Sequence, residues 1–229
     1  VETRRAESFS DGVFAVAITV LIFNLLPIAR PGISARELLH AWPQYAAYVV
    51  SFLTIGIVWL NHHSMLSRLS RVDRTFLSLN LLMLMSVVAI PFPTALVADN
   101  LGRGSPTDGA RVATVVYGLV MIVMSVTFSG MWVYLSGHRG ALIARPLRSP
   151  LQAWVRFSAG LAGYVAATLV AAFVSPPASL AIYGVIAVYY LFENLPDEAQ
   201  ADGTDARKAD AHEADAHEAG ARKAEAETS

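Results

Sequence analysis

Cysteine is absent from all 229 residues, which excludes disulfides, thiolate metal sites and thiol nucleophiles. Charge is scarce as well. Asp, Glu, Lys and Arg make up 15% of the chain, against roughly 25% in an average soluble domain, while 55% is hydrophobic and mean hydropathy is +0.47. No charged side chain occurs from Phe76 to Ala98, from Val112 to Gly137 or from Phe157 to Phe192. Each run is longer than the ~20 residues that cross a bilayer core, so an integral membrane protein is expected. Catalytic signatures are missing: there is no G-x-S-x-G, no H-E-x-x-H and no G-x-x-x-x-G-K-[ST]. Acidic residues within the spans are too few for a two-carboxylate protease or a proton relay. Nothing points to an enzyme, a cofactor, a bound metal or a nucleic-acid partner. The first apolar run is longer than a signal-peptide core and no small-residue cleavage site follows it, so no cleavable signal is expected.

What is present is a series of apolar stretches divided by turn-forming residues. Six helical spans are expected, at about 7–29, 43–66, 75–98, 110–136, 152–174 and 178–195. Pro27 and Pro31 mark the end of the first, and Pro43 opens the second at a first-turn position. Ser175-Pro176-Pro177 links the fifth to the sixth tightly. An even number of spans puts both termini on one side. With the N-terminus inside, nine arginines (among them Arg4, Arg5, Arg68, Arg71 and Arg74) lie on cytoplasmic segments and four (Arg30, Arg36, Arg103 and Arg111) lie outside. The positive-inside rule favours that orientation, with cytoplasmic termini. The expected organisation is a six-helix membrane domain over 1–196 and a charged, disordered or loosely helical tail over 197–229. His212 and His217 in the tail are five apart and do not stack as a ligand pair on a helix.

The entry to the first span is the most unusual segment. It reads R-A-E-S-F-S-D from Arg5 to Asp11, and Asp11 is the lone acid at the opening of a run without charge up to Arg30. A carboxylate within a membrane is a functional hypothesis by default. The alternative is a helix N-terminal residue in the headgroup zone, where its charge favours the helix dipole. At about 100° per residue, Gly12, Val16, Thr19, Val20, Phe23 and Pro27 share one face, and Ser10 and Asp11 point away from it. Such a stripe suits lipid contact, core packing or a pore axis.

The second span closes with Trp59, Asn61, His62, His63 and Ser64, and the third carries Asn80. Adjacent histidines diverge by about 100° on a helix, so His62 and His63 do not chelate one ion. They either satisfy Ser10 and Asp11, as buried polar groups in a membrane require, or lie at the interface. Thr114-Val115-Val116-Tyr117-Gly118 resembles a potassium-filter segment. However, its central glycine is replaced by Val116 and it sits inside a full apolar span, whereas such filters are shielded non-helical backbone.

With those residues in view, the chain resembles the transmembrane protein 175 family of potassium-permeable channels. The carriers are R-x-x-x-F-S-D (Arg5, Phe9, Ser10, Asp11), the following G-V-F-A-V-A-I-T, the second-span W-x-N-H-H and I-P-F-P-T from Ile90 to Thr94. The resemblance covers about residues 4–195. It implies an all-α subunit of six transmembrane helices whose first helix lines a central pore, with a hydrophobic constriction in place of a T-V-G-Y-G filter. It implies Val16, Thr19, Val20 and Phe23 as pore-facing. It further implies that Arg5, Ser10 and Asp11 pack the first helix against the second and third, near Trp59, His62, His63 and Asn80. Family members often carry Ile or Leu where Val16, Val20 and Phe23 stand here, which bears on constriction width. Animal relatives hold the motif twice, whereas this chain holds it once, which implies four identical subunits around the pore.

The expected function is therefore a homotetrameric channel passing potassium in preference to sodium, in the lipid bilayer of a bacterial cell membrane. The alternative is a proton-coupled secondary transporter in which Asp11 and His62 or His63 titrate. A non-conducting scaffold whose tail holds a partner is the third reading.

Overall fold

The computed structural model describes residues 3–29, 31–101, 108–137, 142 and 150–192, and for 150–159 the backbone only. The tail from 197 onward, with His212 and His217, lies outside the described residues, as do residues 102–107 and 143–149. The described regular structure is helical. Helix α1 (Thr3–Val20) runs on without a turn into a 3-10 helix over Leu21–Ile28. Then follow α2 (Ala35–His40), α3 (Trp42–Leu66), α4 (Arg74–Ala89), α5 (Pro91–Leu101), α6 (Asp108–Gly137) and α7 (Pro150–Phe173), with α8 over Pro176–Phe192.

Local chemistry explains the boundaries. Gly32 takes a φ of 79° after Pro31, a conformation that glycine adopts at no steric cost. Ser34 then caps α2 in a capping box: the Glu37 amide donates to Ser34 Oγ at 3.2 Å, and the Ser34 amide donates to Glu37 Oε2 at 2.9 Å. The Asp73 carboxylate caps α4, accepting from the Phe76 amide at 2.8 Å, and also accepts from the Tyr134 hydroxyl near the far end of α6. The third expected span is broken into α4 and α5 at Ile90. Pro91 and Pro93 remove two amide donors from the ladder and interrupt its bonding there, while the backbone at Ile90 keeps helical angles (φ -56°, ψ -42°).

Helix α6 is central to the packing, lying against α4, α5 and α7, while α3 packs on α5 and α1 packs on α3 and α4. Buried hydroxyls join these helices. Thr94 Oγ1 donates to the Ile90 carbonyl at 2.7 Å, so Ser51 donates to Thr94 at 2.8 Å and Tyr117 in turn to Ser51 at 3.1 Å. Thr168 Oγ1 donates to the Tyr164 carbonyl at 2.7 Å, leaving Tyr183 to donate to Thr168 at 3.1 Å. Between these groups sits Gly118. A Cβ there would lie 2.1 Å from Thr168 Oγ1 and 2.3 Å from the Tyr183 hydroxyl. The filter-like segment Thr114–Gly118 is thus packing material inside α6, with Tyr117 fully buried.

Among the described residues, four helical stretches are long and apolar enough to cross a membrane: Thr3–Ile28, Trp42–Leu66, Arg74–Leu101 and Asp108–Gly137. Two shorter apolar helices, Gly160–Phe173 and Pro176–Phe192, follow among the described residues.

Candidate functional site

Helix α1 has two unlike faces. Ala6, Ser10, Phe14 and Ala17 are buried, and Leu21 continues that row. The spacing of three to four residues turns one side of the helix onto α3 and α4.

Polar contacts fix this face. Ser10 Oγ donates to the Ala6 carbonyl at 2.8 Å and accepts from Asn80 Nδ2 at 3.0 Å. Asn80 Oδ1 lies 2.7 Å from His62 Nε2. The directions follow from counting hydrogens. The single Ser10 proton is used on Ala6, so Asn80 must present its amide to Ser10 and its oxygen to His62. The His62 proton therefore sits on Nε2. The ring of Phe14 covers His62 with centroids 5.4 Å apart. On the adjoining strip, Trp59 Nε1 donates to Asp11 Oδ1 at 2.8 Å, and His63 Nδ1 lies 3.2 Å from Glu7 Oε1. Glu7 and Asp11 are one turn apart on α1, as are Trp59 and His63 on α3. Antiparallel helices bring such pairs into register. Glu7 was not among the residues singled out from the sequence; its i, i+4 relation to Asp11 was the available signal.

The structure thus brings together Ser10, Asp11, Trp59, His62, His63 and Asn80. Arg5 and Phe9 stand on the exposed side of α1 instead. Among the described residues no group of three or more His, Asp or Glu is placed to hold a metal ion.

The opposite face is apolar and uncovered. Phe9, Val16, Phe23 and Leu26 are 56%, 58%, 60% and 56% exposed, with Gly12 and Thr19 exposed between them and Val20 at the edge. Thr19 Oγ1 donates backward to its own helix, 2.9 Å from the Val16 carbonyl and 3.0 Å from that of Ala15. Its oxygen lone pairs are left facing outward.

Past Val20 the winding changes, and so does the face assignment. A regular 3.6-residue period puts Pro27 on the stripe. In the 3-10 segment residues three apart eclipse, so Pro27 leaves the row and Leu26 stands in line with Phe23. Pro27 lines an open cleft of about 310 Å³ with Asn24, Arg36, Glu37, Gln44 and Asp99. Asn24 Nδ2 donates to the Pro91 carbonyl at 3.1 Å, tying this segment to the break between α4 and α5. Pro27 is the local cause of the change: it supplies no amide hydrogen, and the residue before a proline is disfavoured in α geometry.

The model of the family described as endosomal/lysosomal potassium channel TMEM175 matches residues 5–91, which hold both faces of α1 and their partners. A potassium channel of Streptomyces collinus is 46% identical over 204 residues, covering 85% of this chain and 94% of the relative. This chain belongs to the TMEM175 family. A potassium channel of Chamaesiphon minutus is 36% identical over 82% of this chain and 93% of its own length. The crystal structure of a lysosomal potassium-selective channel TMEM175 homolog from Chamaesiphon minutus superposes with a TM-score of 0.71 at 32% identity, covering 84% of this chain and 98% of that one. Family membership and the apolar helices together make this a multi-pass membrane protein.

Proposed function

We propose that the chain is one subunit of a homotetrameric potassium channel in a bacterial cell membrane. Residues 1–196 form the conducting domain, with six crossings and cytoplasmic termini, and residues 197–229 form an appended charged tail. The observation that carries this reading is the division of α1. One side is held to α3 and α4 by hydrogen-bonded polar groups. The other leaves an unbroken apolar row without a partner inside the subunit. Both relatives above bear the name potassium channel, and the Chamaesiphon structure is described as potassium-selective.

In this reading four copies of α1 meet around an axis. Val16, Val20 and Phe23 form successive apolar rings, separated by about 5–6 Å from the rise of each helix type. Apolar rings gate conduction by narrowing and dewetting. Thr19 adds a ring of oxygens between Val16 and Val20. Because its proton is used within the helix, the outward lone pairs favour a cation over an anion. Potassium is preferred to sodium because the constriction strips water from the ion, and the more weakly hydrated ion loses less.

Ser10, Asp11, Trp59, His62 and Asn80 orient the helix and do not touch the ion. The test is potassium flux from liposomes holding purified protein. Val16→Asn or Val20→Asn wets a ring and raises flux or weakens discrimination against sodium. Unchanged flux and selectivity in both variants would remove this face from the pore.

A further inference from the structure

We infer that Leu26 forms a fourth apolar ring and sets the end of the constriction remote from the Arg5–Asp11 motif. The inference rests on the pore reading above and extends it by one position.

Three observations lead to it. First, the first helix is 3-10 wound from Leu21 to Ile28, and a 3-10 helix repeats every three residues with a rise of about 2.0 Å each. Val20, Phe23 and Leu26 therefore stack in a single row. Second, exposure at the start of the segment follows that period, while Pro27, third in the row of Leu21 and Asn24, is exposed where it lines the cleft. Phe23 and Leu26 are both more than half exposed, whereas Leu21 is fully buried. Asn24, three residues on from Leu21, is partly buried and bonded to the Pro91 carbonyl. Third, the residue that regular α winding would put on the row, Pro27, lines the cleft beside Arg36, Glu37 and Gln44.

The longer spacing also favours Leu26. Phe9, Gly12, Val16, Thr19, Phe23 and Leu26 alternate steps of three and four, the seam by which helices pack around a common axis. The 3-10 segment keeps the last step of that seam in place. Val16, Val20, Phe23 and Leu26 then follow one another at intervals of about 5–6 Å. An ion crosses roughly 16–18 Å of apolar lining instead of stopping at Phe23. Asn24 is the positioning residue, because its bond to Pro91 fixes the rotation of the segment that carries the ring.

The cysteine-free sequence permits a direct test in the full-length tetramer. Single variants Val16→Cys, Phe23→Cys, Leu25→Cys and Leu26→Cys are reconstituted in liposomes and exposed to a water-soluble cationic methanethiosulfonate. Pro27 is kept in all of them so that the winding is preserved. Modification at Leu26 is expected at a rate within threefold of that at Phe23 and at least tenfold above that at Leu25, with loss of potassium flux. A rate at Leu26 no higher than at Leu25 overturns the assignment. Absence of reaction at both Val16 and Phe23 overturns the pore reading itself, a distinguishable failure. Leu26→Trp gives a second readout that needs no thiol. It narrows the ring and lowers flux at least threefold in assembled protein, while unchanged flux counts against the ring.

Discussion

Trp59 donates its indole hydrogen to Asp11 at 2.8 Å, and this contact holds the acidic residue of the first helix against α3. With the carboxylate turned onto α3, the residues about 140° round the helix, Val16 among them, are directed away from the subunit. One turn earlier Glu7 meets His63 in the same register. Asp11 is thus an acceptor within a polar seam.

Asp11→Asn separates the channel reading from a transporter in which Asp11 titrates. The amide oxygen still accepts from Trp59, so orientation is kept. Potassium flux is expected to persist, to stay unsaturated as potassium rises and to keep its pH profile. Abolition of a steep pH dependence together with saturable flux would favour the transporter. Liposome flux at several pH values makes the distinction.

Asn80→Leu strikes the centre of the anchor. Asn80 is buried and bridges Ser10 to His62, so its loss leaves the buried His62 Nε2–H without an acceptor, while Ser10 keeps its bond to the Ala6 carbonyl. A cost of about 1–3 kcal/mol for the unpaired group is expected, read as a lower melting temperature of the purified protein. Ser10→Ala added to Asn80→Leu is expected to cost less than the sum of the two single changes, because they share one network.

Thr19→Val keeps the shape of the side chain and removes its oxygen. Loss of one weak ligand per subunit, at ~1 kcal/mol each, is expected to lower potassium conductance about fivefold or more, with assembly intact by size-exclusion chromatography. Equal conductance in single-channel recordings removes Thr19 from the ion path.

Gly118→Ala tests the packing of α6 on α7 and α8. The added Cβ meets Thr168 Oγ1 and the Tyr183 hydroxyl well inside contact distance. Overpacking of this kind costs ~1–3 kcal/mol, so the melting temperature is expected to fall. Tyr183→Phe removes one of the three atoms within 3.0 Å of the added Cβ and is expected to recover part of the loss in the double variant.

Much of the fold was legible in the sequence because a membrane leaves few choices. Long uncharged runs must be helical to satisfy their backbone, and the expected spans 43–66, 110–136 and 152–174 lie close to the bounds of α3, α6 and α7. The anchor was legible in kind, since Ser10, Asp11, Trp59, His62 and Asn80 are polar residues that need partners. Their pairing was not. That Ser10 meets Asn80 while Asp11 meets Trp59, and that Glu7 joins them, depends on the rotation and depth of α1 against α3. The break at Ile90 could have been read from Pro91 and Pro93, but apolar continuity masked it.

The sequence by itself determined an all-helical membrane protein of this family, because hydrophobic length and the spacing of R-x-x-x-F-S-D are local properties of the chain. Only the tertiary structure decided the winding of the first helix after Val20. A single proline at position 27 permits either an α-helix up to it or a tightened 3-10 turn. The observed 3-10 winding comes with Asn24 reaching the Pro91 carbonyl of another helix. In that winding Leu26 stands in line with Phe23, and Pro27 lines the cleft instead.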